Sequence, residues 1–449
     1  MTNQHTTTIQ QSRNLEQAIG RFLEAINDWI NRVVTKYPDG FSSDSHDGGT
    51  FMASWVPYID VTSDEMAIEF MQNYRDDARQ HFDETGQWFH GYWRKQEIHH
   101  GTEHFDIFLR ALWEVHPNDD ETVSELEDAA EHVGNWVDEV PEWFDYDTGL
   151  FRSTHLGTRN VGEPTCNLPD HIRLLNLCLL AYEMTGQKRY LALARQHGKL
   201  WADAINDHPV LPPAIDADGP IEHLNGDDEE TYRSFAGAAP DDLESQLPCA
   251  ENLIASAHPD AFLSLWTHTG NRDFLYAAQK IIDVAAQELS SPIAWQVQAA
   301  IRRYRATAHS DRYDDPIQEI EDEALRAIEE LTIIPEPEQR SIRGPIGMRD
   351  DKPEWLDQNG NPAPSPLLIM LRGLVDENEE LIIRALDLGL AHFRLAQRTW
   401  GDVTHHGCSA QSLSAVCRGH GRLNGAGVVT EVLKPAIQEA GANVARWEY

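Results

Sequence analysis

Between Trp93 and Trp113 the chain reads Trp-Arg-Lys-Gln-Glu-Ile-His-His-Gly-Thr-Glu-His-Phe-Asp-Ile-Phe-Leu-Arg-Ala-Leu-Trp, its densest run of groups able to move protons. His99, His100, Glu103 and His104 fall where Phe105, Phe108, Leu109, Leu112 and Trp113 begin an apolar stripe at helical spacing. Ionisable groups at the start of a buried helix are costly to desolvate unless they bind something, and imidazole exchanges protons near neutral pH. The stretch is therefore the leading candidate for an active-site floor. The plainer reading is a helix N-cap, with Thr102 or Glu103 satisfying first-turn amides and the histidines solvated. His100-Gly-Thr-Glu103-His104 also follows the H-x-x-E-H zinc order, in which two imidazoles one turn apart hold the metal and the Glu acts as base. Gly101 at the helix start and the want of a third ligand placed by the sequence speak against a zinc peptidase. No cofactor is expected; the alternative is a divalent metal held by His99, His100 or His104 with His171.

Such groups need elements to position them, and the apolar periodicity supplies helices in pairs. A leading helix over 13–36 carries Ile19, Phe22, Leu23, Ile26, Trp29, Ile30 and Val33 in one stripe. Pairs follow at 50–60 with 64–83, 101–115 with 120–138, 169–186 with 188–206 and 251–269 with 272–289. Three more are expected at 293–308 with 316–331, 365–375 with 377–398, and 409–418 with 425–440. No strand-like alternation of comparable length occurs. First members such as 172–180 are apolar almost all round, whereas second members such as 121–138 and 316–331 carry charged faces, so the first are inner helices and the second outer ones. This predicts an all-α fold, an α/α toroid (barrel) of six or seven helical hairpins, in a single domain over 1–449. The long connections 139–168, 207–250 and 332–364 precede inner helices, where a site would be built.

Residues at the starts of inner helices would then converge on one funnel. They are His46 and Asp47; His99, His100, Glu103 and His104; Arg152 and His155; Asp170, His171 and Arg173; Glu251 and His258; His405 and His406; and Arg418, His420 and Arg422. Trp55, Trp88, Trp93, Trp143 and Trp400 lie near the same end, where a flat ring could stack on a sugar; core packing is the competing reading for each.

The phrase Asp145-Tyr-Asp147-Thr-Gly-Leu-Phe151, followed by Arg152 and His155, resembles the Asp-x-x-Thr-Gly-Leu turn before inner helices in unsaturated uronyl hydrolases. The segment Asp170-His171-Ile-Arg173-Leu-Leu-Asn-Leu, with Leu180-Ala-Tyr-Glu-Met-Thr-Gly186-Gln-Lys-Arg-Tyr-Leu191, is similar to a hairpin found across α/α-barrel carbohydrate enzymes and related polysaccharide lyases. Arg418-Gly-His420-Gly421 echoes an Arg-Gly-x-Gly element of the uronyl hydrolases, but closer to the carboxyl terminus and without the following Trp. The resemblance covers most of the chain as a fold and no family's catalytic signature in full.

It implies an enzyme cleaving glycosidic bonds of oligosaccharides by acid/base hydrolysis, which needs two carboxyl groups flanking one bond. Glu103 and Asp170 are the expected pair, with Asp47 in reserve; an N-cap role competes for each. β-Elimination from a uronate would instead use a cation and a His, Tyr or Arg base, for which His104, His171, Arg152 and Arg173 serve. A sugar epimerase would set two histidines across the ring, such as His104 and His406. A sugar-binding protein without catalysis would need only aromatic platforms. Substrate contacts are expected from Asp47, Trp93, His100, Arg152, His155, His406, Arg418, His420 and Arg422, the arginines offering planar forks suited to a uronate carboxylate. Surface ion pairing is the competing role for each arginine.

Composition sets the environment. The chain has 449 residues, 74 Asp and Glu against 36 Lys and Arg, and a formal net charge of -38; only 7 of those basic residues are Lys. The acids are spread along the whole chain, as suits a surface in salt-loaded cytoplasm, and a halophilic source is expected. No basic patch offsets repulsion from phosphates, so nucleic acid is not an expected partner. Cys166, Cys178, Cys249, Cys408 and Cys417 include no C-x-x-C pair, so reduced thiols are expected. The opening Met-Thr-Asn-Gln-His-Thr-Thr-Thr has no leader pattern and no later run reaches the length of a membrane span, so a cytoplasmic protein with no membrane partner is expected.

Overall fold

A computed structural model describes residues 5–38, 40, 47–86, 88–89, 92–93, 98, 102–137, 142–153, 166–221, 246–292, 294–334, 354–400 and 427–441. The chain is all-α and built from helical hairpins, the class expected from its periodicity. In order, the helices are α1 (Leu15–Lys36), α2 (Asp47–Ala53), α3 (Val56–Thr62), α4 (Glu65–Glu84), α5 (Arg110–Val115), α6 (Asp120–Val133), α7 (Ile172–Thr185) and α8 (Lys188–Asp207). They continue with α9 (Gln246–Ala255), α10 (His258–Thr269), α11 (Arg272–Ala285), α12 (Trp295–Ala308), α13 (Asp314–Gln318), α14 (Pro366–Val375), α15 (Glu379–Trp400) and α16 (Lys434–Ala440). No helix among the described residues is long and apolar enough to cross a membrane.

The described residues fall into two compact units, one taking those up to Tyr74 and from Glu288 onward, the other Arg75–Gln287. In the first, α1 starts where Asn14 accepts the Gln17 amide at 2.8 Å, and buries the stripe read from the sequence. Trp29 sits edge-on to Trp55 and Phe393, with ring centres 6.2 and 5.3 Å away. Trp55, a candidate sugar platform, is thus fully buried core. α14 and α15 form the hairpin of this unit, and Ser365 caps α14 by accepting the Leu367 and Leu368 amides at 3.2 and 3.4 Å.

Two expectations fail in this unit. Instead of the second helix expected at 316–331, the chain forms the short α13, a 3-10 turn Asp322–Leu325 and a strand, Glu330–Ile334. Leu331 and Ile333 point into the core on either side of Thr332, a period of two that the helical spacing of Ile317, Ile320, Ile328 and Leu331 masks. That strand is the centre of a three-stranded antiparallel sheet between His5–Thr8 and Glu354–Leu356, so sheet is present where none was expected. The expected helix 409–418 lies outside the described residues. Its partner is a π-helical turn, Val429–Leu433, leading into α16.

In the second unit α7 with α8 and α10 with α11 form hairpins whose turns are chemically alike. Thr185-Gly186-Gln187 and Thr269-Gly270-Asn271 each end a helix on a left-handed glycine, at φ 69° and 70°. The Gly186 amide donates to the Tyr182 carbonyl at 2.8 Å and the Gly270 amide to the Trp266 carbonyl at 2.7 Å. α8 packs on α11, and α6 and α10 both pack on α7. Trp143, another candidate platform, is buried in this core, its ring nitrogen donating to the Ser153 carbonyl at 3.3 Å.

The helix expected over 251–269 is also broken. α9 stops at Ala255, Ala257 takes the left-handed conformation at φ 63°, and α10 starts at His258 with Pro259 in its first turn. A proline tolerates a helix start and not its interior, which fixes the break. The break matters because it frees the Ser256 side chain to bond across the unit.

Candidate functional site

The site is built in the second unit from the starts of three inner helices. Ahead of α5 the chain winds as a π-helical turn, Glu103–Leu109, in which every residue from His104 to Leu109 is buried. Single π turns recur at functional sites because they re-aim side chains within a helix. Asp106, 7% exposed, is the one acid among these six buried residues. Four residues on, the Arg110 guanidinium lies 3.9 Å from the Asp106 carboxylate and donates a long 3.4 Å bond to the Asn176 carbonyl of α7.

The second start is the 3-10 turn Pro169–His171 heading α7. Asp170 and Arg173 are both fully enclosed, with Arg173 Nε 3.3 Å from Asp170 Oδ1. Arg173 Nη1 also donates to the Thr102 hydroxyl at 3.0 Å, and that hydroxyl donates to the Ile98 carbonyl at 2.6 Å. The third start is the break before α10, where the Ser256 hydroxyl donates to Asp170 Oδ1 at 3.2 Å. Burying two carboxyls and a guanidinium costs several kcal/mol per ion (about 3 to 5 if one partner is removed), so they stay only as a mutually compensating set.

The two carboxyls sit in unlike surroundings. Burial pushes the Asp106 carboxyl up from its ordinary range; the charges of Arg110 and Arg173 pull it back and that of Asp170 adds to the rise, with the net direction upward. Asp170 instead has a guanidinium and a hydroxyl at its Oδ1. Neighbouring carboxyls in unlike environments can divide the work of proton donor and charged partner between them.

His171 lies beside them and is fully engaged. Its Nδ1 accepts the Leu168 amide at 3.0 Å, which leaves Nε2 to carry the proton and donate to the Ser153 carbonyl at 3.3 Å. Burial pushes it down to about 4, so it is neutral across the physiological range. Behind it stand His197, whose Nδ1 meets the Gly149 carbonyl at 2.9 Å, and His258 against Trp201; burial pushes both down to about 3. His104 packs in an aromatic setting of Phe82 and Phe108, with Nε2 3.9 Å from the buried Glu125 carboxylate, which Arg79 also contacts.

Of the residues singled out from the sequence, Asp170 and Arg173 meet in this cluster. Arg152 does not join them: it forms a surface ion pair with Glu142 at 3.0 Å and Asp145 at 3.1 Å, the competing role expected for it. Glu103, Asp47 and Trp93 are described in backbone only, in the π turn, at the start of α2 and in a two-residue strand paired with Trp88–Phe89. His100, His155, His406, Arg418, His420 and Arg422 lie outside the described residues, as do His46, His99 and His405. Among the described residues no group of three or more His, Cys, Asp or Glu is arranged to hold a metal ion.

Sequence reading missed Asp106, Arg110, Thr102 as a partner of Arg173, and Ser256. Asp106 had a signal, a lone carboxylate inside Phe105-Asp-Ile-Phe-Leu109 and four residues before an arginine. Ser256 had a weaker one in Pro259, which marks a helix start and therefore a break just before it.

No protein-family profile matches the chain, and no curated protein matches it. Among solved structures it is similar in fold to the unsaturated glucuronyl hydrolase of Bacillus sp. GL1, at 16% identity and a TM-score of 0.46, covering 65% of this chain and 78% of that one. It is similar to an unsaturated glucuronyl hydrolase specific for heparin, at 11% identity and a TM-score of 0.41, covering 66% and 82%. A family 76 glycoside hydrolase from a bovine Bacteroides thetaiotaomicron strain follows at 12% identity and a TM-score of 0.40, covering 78% and 69%. The likeness is one of fold, to α/α-barrel enzymes.

Proposed function

We propose that the protein is a carbohydrate-active enzyme that hydrolyses glycosidic bonds of uronate-containing oligosaccharides, with Asp106 as the acid and Asp170 as its charged partner. The observation that carries this reading is the pair of enclosed carboxyls held unlike each other around Arg173. Asp106 gives its proton to the leaving oxygen as the bond from the sugar carbon to that oxygen breaks, and Asp170 takes a proton from the water that attacks the carbon. Asp106 takes the place that the sequence suggested for Glu103. With Asp106 protonated, Asp170 negative and Arg173 and Arg110 positive, the cluster has one positive charge in excess. Inside a protein of net charge -38 such an excess favours a substrate bearing a carboxylate.

β-Elimination would need a His, Tyr or Arg base; both ring nitrogens of His171 are occupied by backbone partners, Arg173 is engaged with Asp170 and Thr102, Arg152 with Glu142 and Asp145, and His104 stands against Phe82, Phe108 and Glu125. Hydrolysis therefore leads. The test is incubation in high salt with a panel of saturated and unsaturated glucuronyl oligosaccharides, following the ultraviolet absorbance of the unsaturated uronate together with new reducing ends. New reducing ends with constant or falling absorbance support hydrolysis. Rising absorbance overturns it in favour of a lyase, and an isomerised sugar without cleavage in favour of an epimerase.

A further inference from the structure

Arg110 is poorly satisfied for a guanidinium in so acidic a protein. Other arginines are gripped closely, as Arg305 is by both oxygens of Asp314 at 2.6 and 2.8 Å, and Arg302 and Arg303 by Glu431 at 2.5 and 2.8 Å. Among the described residues Arg110 has one long bond to a carbonyl, a buried Nε without a hydrogen-bond partner, and a carboxylate at 3.9 Å, beyond hydrogen-bond reach. Its side chain keeps 29% of its surface open, whereas Arg173 is sealed. A planar fork with spare donors and partial access is built to receive a carboxylate in two-point fashion.

The receiving fork is also one of the charges that act on Asp106. The charges acting on that carboxyl include Arg110, four residues on at the start of α5, and Arg173 and Asp170 from the start of α7. Arg173 is already engaged with Asp170 and Thr102, so Arg110 is the cation whose balance a ligand can change.

We infer that Arg110 is the anion receptor of the site, and that a substrate carboxylate bound to it cancels its pull on Asp106, so that the acid is held protonated more firmly when an anionic substrate is in place. Arg110 on this account is a positioning residue for the proton and a binding residue for the substrate. The inference rests on the reading of Asp106 as the acid. An occupied Arg110 pushes Asp106 further toward the protonated form, since the positive charge that favoured the carboxylate has been neutralised.

The test uses the full-length protein with acetate as probe, reading the Asp106 carboxyl by infrared difference spectra of wild type against Asp106→Asn across pH. Acetate should raise the titration midpoint of Asp106 by about one pH unit or more in wild type, the shift expected from neutralising a charge about 4 Å away in a partly screened setting. In Arg110→Gln, read against Asp106→Asn/Arg110→Gln, the midpoint should already be high without acetate and move little on adding it; Arg110→Lys, which keeps the charge but not the fork, should start low and respond weakly. Equal acetate responses in wild type and Arg110→Gln, or none in wild type, overturn the inference. Turnover separates the two readings. If Asp106→Asn abolishes turnover while acetate leaves Asp106 unmoved, the inference alone fails; if Asp106→Asn turns over normally, the assignment of the acid fails with it. In an active enzyme the basic limb of kcat should lie at higher pH than that of kcat/KM, and Arg110→Gln should bring the two together.

Discussion

Replacing Arg173 with methionine removes a cation that sits against the enclosed Asp170. Methionine preserves much of the stem volume, so the change is mainly electrical. Stranding a buried carboxylate costs about 3 to 5 kcal/mol. The bond to Thr102 is lost as well, adding about 0.5 to 1.5 kcal/mol, at the low end because the Thr102 hydroxyl keeps its own donation to the Ile98 carbonyl. Urea unfolding followed by far-ultraviolet circular dichroism at pH 7 should therefore show Arg173→Met about 4 kcal/mol less stable than wild type. The pair Asp170→Asn/Arg173→Met leaves no charge stranded on Asp170 and should recover about 2 to 3 kcal/mol of that loss. A loss below about 1 kcal/mol in the single variant, or a double variant as unstable as the sum of its parts, would refute the reading of this cluster as a compensated set.

Three further outcomes follow from the same physics. His171, His197 and His258 are neutral in the fold and depressed by burial to about 4, about 3 and about 3, so their contribution is complete above the ordinary imidazole range and drains away as pH falls through those values. His197→Phe should flatten the loss of stability between about pH 6 and pH 4 by one proton, measured as the pH dependence of the urea midpoint, even though it gives up the bond to Gly149. Gly373→Ala should cost about 1 to 3 kcal/mol by thermal unfolding, because a Cβ there would meet the Ile382 amide nitrogen at 3.0 Å and its Cγ1 at 2.9 Å where α14 turns into α15. Finally, with 74 acidic residues against 36 basic ones, moving from about 0.1 M to about 3 M KCl should raise the melting temperature; an unchanged one contradicts the halophilic reading.

What the sequence disclosed was whatever a period or a punctuating residue encodes. The stripe of α1, the helix ends expected at 186 and 269, and the placing of Asp170 and Arg173 at an inner-helix start all follow from spacing. The π turn that carries Asp106 leaves no such mark, since Phe105, Phe108 and Leu109 suit an ordinary helix equally well. The segment 316–331 was misread because its apolar residues fit a helix, while the pairing of Thr332, Ile333 and Ile334 with partners far along the chain is a tertiary event. Arg152 could not be told from a site residue by type alone; its acids, Glu142 and Asp145, stand close by in sequence and claim it.

Asp106 and Asp170 as acid and charged partner are tested by the turnover of Asp106→Asn and Asp170→Asn on a glucuronyl oligosaccharide that the wild type cleaves, with binding followed by calorimetry. Each variant should lose turnover by a factor of about 10² to 10⁴ while binding stays measurable. Undiminished turnover in either folded variant would contradict the account.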